Sequence, residues 1–119
     1  MLEGPELARF QTMFDRDLKT RSFFWHKYGY WQYANYEALI SSPRFDDLIR
    51  HPSVYPHIEA LMGDPLCFGE LGLRLMRPYH GELHQDWHRD RPHWLEHPLR
   101  LDYVQLMVYL TDVGEGDHC

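Results

Sequence analysis

The order of hydrophobic patterns along this 119-residue chain predicts an α+β fold. Apolar residues recur at helix spacing in the first half, and alternating or β-branched runs follow from Leu66. No internal repeat or low-complexity tract interrupts that order. A single domain over 1–119 is therefore expected, mainly helical over 1–65 and carrying strands over 66–119.

Pro5 opens the first helix, whose apolar stripe is Leu7, Phe10, Phe14 and Leu18, with Glu3 and Glu6 near its positive N-terminal end. Phe23–Tyr33 is aromatic-rich, is broken by Gly29 and has no clean period; it reads as a loop passing into a short helix around Tyr36–Ile40. Ser42 and Pro43 form an N-cap and N1 pair for a helix carrying Phe45, Leu48 and Ile49 inward. His51-Pro52 breaks that helix, and Ser53 is placed to cap another carrying Val54, Ile58 and Leu61 before Gly63 stops it. Pro56 fits only in the first turn.

In Leu66–Pro78, Leu71, Leu73 and Leu75 alternate with Gly72, Arg74 and Met76, the period of a half-buried strand. Leu101–Val113 is apolar and β-branched and reads as a further strand. Three or four strands cannot close a jelly roll, which takes about eight. An apolar strand such as Val104–Leu110 left unpaired would also expose an edge. The chain thus reads as the front of a larger domain, or as half of an assembly that self-associates through an unpaired sheet edge.

Composition narrows the function classes. Apolar residues make up 44% and aromatics 15%, enough for a packed core, and no apolar run approaches the roughly 18 residues of a membrane span. A formal charge of −6, with cations scattered among carboxylates, argues against nucleic acid as a partner. Met-Leu-Glu-Gly-Pro at the start has no features of a secretion signal. Cys67 and Cys119 are too few for a disulfide framework and read as reduced thiols in a cytoplasmic protein. Five of the nine histidines (His80, His84, His88, His93, His97) fall within one short region, which composition alone does not explain.

Within that region stands His84-Gln85-Asp86. On a strand, residues two apart point to the same face, so one imidazole and one carboxylate can converge on a single ion. Non-haem Fe(II) sites use two histidines and one carboxylate and keep adjacent positions open for substrate and O₂. His84 and Asp86 would supply two of those three ligands; the chain ends at Cys119 before any strand that could return the third. By itself the tripeptide is weakly specific, because His-x-Asp occurs by chance in many chains.

Its surroundings are more specific. Leu48-Ile49-Arg50-His51-Pro52-Ser53-Val54, Glu59-Ala60-Leu61-Met62-Gly63-Asp64-Pro65, the strand Leu73–Pro78, Gly81-Glu82-Leu83-His84-Gln85-Asp86-Trp87-His88 and Tyr109-Leu110-Thr111-Asp112-Val113 follow one another in order. In that order and spacing they resemble the phytanoyl-CoA dioxygenase family over nearly the whole chain. The most distinctive part is His-Gln-Asp-Trp followed about twenty residues later by a strand ending Leu-Thr-Asp-Val.

The resemblance implies an Fe(II)- and 2-oxoglutarate-dependent oxygenase that hydroxylates a small organic substrate. It implies N-terminal helices packed on part of a double-stranded β-helix (jelly-roll, cupin-like), incomplete in this chain. His84 and Asp86 would correspond to iron ligands. Met107 aligns with a position lining the 2-oxoglutarate pocket, and Met76 with one where several relatives carry asparagine. The distal histidine and the basic residue that pairs with 2-oxoglutarate belong to strands beyond Cys119, and the chain looks trimmed at both ends. The competing reading is a non-catalytic metal-binding or interaction module that keeps only His84 and Asp86.

Other residues carry weaker expectations. His88 shares a strand face with His84 and Asp86, but same-face neighbours stand about 7 Å apart and seldom meet at one ion, so it is read as lining the pocket or contacting substrate. Trp87 points to the opposite face as a core residue. Core packing is also expected of Trp25 and Trp31 in preference to a substrate mouth. His93 and His97 belong to a solvated loop over Arg91–Pro98 that is placed to act as a lid, and His118 is a loop residue. Arg74 and Arg77 are read as a solvated strand edge, with contact to an anionic substrate as the alternative.

Overall fold

A computed structural model describes residues 2–29, 31–63, 65–78, 81 and 103–114 of the chain. Helix α1 spans Gly4–Thr20, with Pro5 in its first turn, Glu6 near its positive end and Lys19 near its negative end. Phe10 is fully buried, and its ring lies 6.0 Å from that of Phe45. Phe14 meets Trp25 edge to face at 5.2 Å. Burial of each ring contributes roughly 1.5–3 kcal/mol, so the stripe read from the sequence is what docks α1.

A single 3₁₀ turn at Ser22–Phe24 leads into a hairpin, where a loop was expected. Strand β1 (His26–Tyr28) pairs antiparallel with β2 (Gln32–Asn35), in the register His26 with Ala34 and Tyr28 with Gln32. Gly29 opens the connection at φ +60°, a left-handed conformation that costs an ordinary side chain energy and glycine almost none. Two strands therefore lie inside the segment expected to be mainly helical.

Helix α2 (Ala38–Ser41) agrees with the short helix expected around Tyr36–Ile40. Pro43 opens a 3₁₀ turn, Pro43–Phe45, that runs directly into α3 (Asp46–Ile49), with Phe45 and Leu48 buried as expected. Ser42 does not cap this turn; its hydroxyl goes elsewhere, as described below. Helix α4 spans Tyr55–Met62, keeps Pro56 in its first turn and ends at Gly63, φ +77°. It buries no residue, and Leu61 is 74% exposed, against the inward role expected of it.

Ser53 is not the N-cap of α4, a position held by Val54. The Ser53 backbone N–H donates to His51 Nδ1 at 3.2 Å, and its hydroxyl lies 2.7 Å from the same nitrogen. An accepting Nδ1 leaves the imidazole proton on Nε2, which donates to Glu6 Oε2 at 3.0 Å. This buried histidine thereby ties the approach to α4 onto the first turn of α1.

Strand β3 (Leu73–Met76) pairs antiparallel with β2, from Asn35 with Leu73 to Gln32 with Met76, giving the sheet order β1-β2-β3. Period-two alternation divides the sheet. Tyr33, Asn35, Leu73 and Leu75 face α1 and the core cluster of Phe10, Trp25, Ala38, Phe45 and Leu48. The opposite face carries His26, Tyr28, Gln32, Ala34, Arg74 and Met76.

The strand expected over Leu101–Val113 is not formed in its described part: residues 103–114 have no strand structure and are mostly exposed. Leu110 alone among them packs against the core cluster, and its carbonyl accepts from Gln11 Nε2 at 2.5 Å. An α+β arrangement of helices on a small antiparallel sheet is what the structure shows.

Candidate functional site

His84 and Asp86, the candidate iron ligands, lie outside the described residues, as do Trp87, His88, His93, His97 and His118. Among the described residues, no group of three His, Cys, Asp or Glu side chains is arranged to hold a metal ion. The two candidate cosubstrate residues are described. Met76 closes β3 opposite Gln32 on the face away from α1, and is 56% exposed. Met107 is 60% exposed, and its sulfur accepts from the Tyr109 hydroxyl at 3.8 Å.

The face bearing Met76 is polar and aromatic. Tyr28 and Gln32 stand beside it in register, and Arg74 lies two residues back along β3. Gln32 Oε1 is buried there without a hydrogen-bond partner among the described residues, an acceptor still wanting a donor. Arg74 is exposed on the edge strand β3, as read from the sequence, and its guanidinium in addition packs over the rings of Tyr28 and Tyr36. Arg77 similarly lies 4.8 Å from the centroid of Tyr33. Trp25 is buried as expected, whereas Trp31 is exposed and does not fill the core role assigned to it.

The strongest polar cluster is one the sequence reading did not single out. Asp17 is fully buried on the inner side of α1, seven residues after Phe10 and so two turns along the same stripe. Its Oδ1 accepts from Trp25 Nε1 at 2.8 Å and from Asn35 Nδ2 at 2.9 Å, and its Oδ2 accepts from the Ser42 hydroxyl at 2.6 Å. Asn35 also donates to Ser41 Oγ at 2.9 Å and accepts from the Glu37 backbone N–H at 2.9 Å.

Burial alone would push the Asp17 carboxyl up. The hydroxyls of Ser41 and Ser42, the Trp25 indole and the Asn35 amide outweigh it and hold the group below the ordinary carboxylate range. The donors are side chains from several elements converging on one carboxylate, so the cluster locks α1 to the hairpin and to α2. Its chemistry is closed. A visible signal was the aspartate itself, placed on a stripe otherwise filled by phenylalanine and leucine.

The sequence has been compared with known families and proteins. No curated protein and no solved structure matches it. The family model described as phytanoyl-CoA dioxygenase (PhyH) matches residues 7–119, a stretch that runs from within α1 through His84-Gln85-Asp86 to the last residue. Since that match takes in all but the first six residues, the chain belongs to the phytanoyl-CoA dioxygenase family.

Proposed function

We propose that this chain carries part of the active centre of an Fe(II)- and 2-oxoglutarate-dependent oxygenase acting on a small organic substrate, with His84 and Asp86 as metal ligands. The observation that carries this reading is the family match over residues 7–119, within which the His-x-Asp pair falls. An imidazole and a carboxylate are donors that Fe(II) accepts in sites where O₂ must also reach the metal, so the pair fits the ion in kind. Bound iron and 2-oxoglutarate would supply the activated oxygen for hydroxylation of a C–H bond.

The roles left to the chain are to bind and to orient. His84 would give the metal a neutral nitrogen and Asp86 a negative oxygen, with a further histidine required to complete the usual set. Met76 and Met107 offer thioethers, which can give a cosubstrate apolar contact but no hydrogen-bond donor. The two carboxylates of 2-oxoglutarate must therefore find their cationic and donor partners on other residues. Among the described residues, no helix is long and apolar enough to cross a membrane.

Anaerobic Fe(II) titration tests the ligand assignment. His84→Ala and Asp86→Ala are each expected to weaken Fe(II) binding by at least about ten-fold, the loss usual when a first-row metal gives up a protein ligand. Addition of 2-oxoglutarate to the iron-loaded chain should then produce a visible charge-transfer band. Tight Fe(II) binding without that band would replace the oxygenase with a metal-binding module. Fe(II) affinity unchanged in both variants would remove His84 and Asp86 from the site.

A further inference from the structure

Arg74, Tyr28 and Tyr36 are drawn together where β3 and the hairpin present their outer face. The Arg74 guanidinium lies 5.3 Å from the centroid of the Tyr28 ring and 6.0 Å from that of Tyr36. Its Nη2 donates to the Tyr36 hydroxyl at 3.3 Å. The two rings meet edge to face at 5.8 Å. Gly72 makes room for this arrangement: a Cβ there would come within 3.1 Å of Tyr36 Cδ1 and 3.2 Å of Cε1.

The donors and acceptors of this cluster do not balance. A guanidinium has five N–H groups and no acceptor, and only one of its donor atoms is engaged by Tyr36. The Tyr36 oxygen accepts that bond, and its hydroxyl also lies beside that of Tyr28. Burial and the neighbouring Tyr28 hydroxyl push the Tyr36 phenol above its ordinary value, while Arg74 pulls the other way; the net effect keeps the proton in place. Tyr28 adds a second phenol. Among the described residues no carboxylate pairs with Arg74, whereas Arg9 and Arg44 both reach Asp47 and His51 reaches Glu6.

We propose that Arg74, Tyr28 and Tyr36, set side by side on the outer face of the sheet, form a binding site for an oxyanion, the carboxylate or phosphate group of a small molecule. Contact with two rings and the bond to Tyr36 restrain the planar guanidinium before the ligand arrives, so its remaining N–H groups are held ready for oxygen acceptors. Both tyrosines stay partly open, at 48% and 38% exposure, which gives the anion access. The chain's formal charge of −6 repels anions at long range, so affinity here must come from these local donors. Glu37 and Glu70 line the groove that continues from Tyr36 and disfavour a second negative charge on the ligand. Oxyanion binding here needs no metal and stands apart from the iron assignment.

Titration of the whole chain with sodium acetate and, separately, inorganic phosphate tests the site, with chloride at matched ionic strength as control. A saturable shift of the Arg74 Nε–H resonance and of the Tyr28 and Tyr36 ring signals is expected. Acetate alone producing it assigns a carboxylate ligand, phosphate alone a phosphoryl ligand, and both a general oxyanion site. Arg74→Met should weaken binding, followed by the tyrosine signals, by at least about ten-fold, and Tyr36→Phe by less, as for loss of a charged and a neutral donor. Arg77→Met should leave it unchanged. Shifts that rise linearly and match chloride, or saturable binding that survives Arg74→Met with the fold intact by circular dichroism, would overturn the proposal.

Discussion

Asp17 and Arg74 sit on opposite sides of the same three-stranded sheet and are near mirror images in their chemistry. Asp17 is a buried anion that accepts from Trp25, Asn35 and Ser42 and has no spare face. Arg74 is an exposed cation, propped on two rings, with most of its donors unengaged among the described residues. A charge that is saturated from within holds a fold together, because removing it strands its partners in a dry interior. A charge that is only held in position costs the fold little and remains available to something outside it.

The largest expected effect comes from breaking the closed side. Asp17→Ala leaves the indole, amide and hydroxyl donors buried and unpaired and should destabilise the chain by roughly 3–5 kcal/mol, measured by urea unfolding. That is a large share of the roughly 5–15 kcal/mol typical of a whole domain. A loss below about 1 kcal/mol would show that the cluster is bridged by water and is not a lock.

Acid unfolding probes the same carboxylate through its proton. The folded-state value lies below the ordinary one, so the unfolded chain takes up the proton first as pH falls. The stability contributed by Asp17 should be complete above about pH 4, the ordinary aspartate value, and be lost as the pH drops toward the folded-state value. Asp17→Asn should flatten that part of the stability profile; an unchanged slope would place the acid sensitivity on other groups. Ser42→Ala removes one donor only and should cost about 1–2 kcal/mol. Arg74→Met should change stability by no more than about 0.5 kcal/mol, as for an exposed position whose charge has no buried partner. A markedly larger loss would make the tyrosine stack part of the fold's support and weaken the contrast with Asp17.

Where the sequence was legible, one local pattern sufficed. The α1 stripe, the Pro43 and Pro56 starts, the Gly63 stop and the β3 alternation each follow from spacing or a single backbone preference. Errors came where a distant partner outcompeted the local one. Ser42 has the form of an N-cap, but a buried carboxylate is a stronger acceptor for its hydroxyl than a turn's amides are donors. Ser53 fails as a cap for a different reason: the N-cap of α4 falls one residue later, at Val54, and Ser53 pairs with His51 two residues back.

The hairpin was hidden because aromatics occupy both faces of His26–Tyr33 and blur the period of two, leaving Gly29 as its one local sign. Residues 103–114 show the converse: β-branched composition suits a strand, but a strand also needs a neighbour to pair with. The proposed ligand pair His84 and Asp86 rests on the order of its flanking motifs, and the family match covers the same stretch. Arg74 was visible as a residue, but its two tyrosines come from β1 and from beyond β2, and no spacing rule joins them.

The partners of Asp17 lie 8, 18 and 25 residues from it along the chain. Closing such short loops costs little entropy, and the cost rises only slowly with length. All four residues of the cluster have been synthesised once Ser42 has left the ribosome, some thirty residues before Leu73. The helix, the hairpin and α2 can thus assemble as a template during synthesis, and β3 then docks on the open edge of β2. Mutations at Asp17 should accordingly slow folding, whereas changes confined to Arg74 should leave its rate alone.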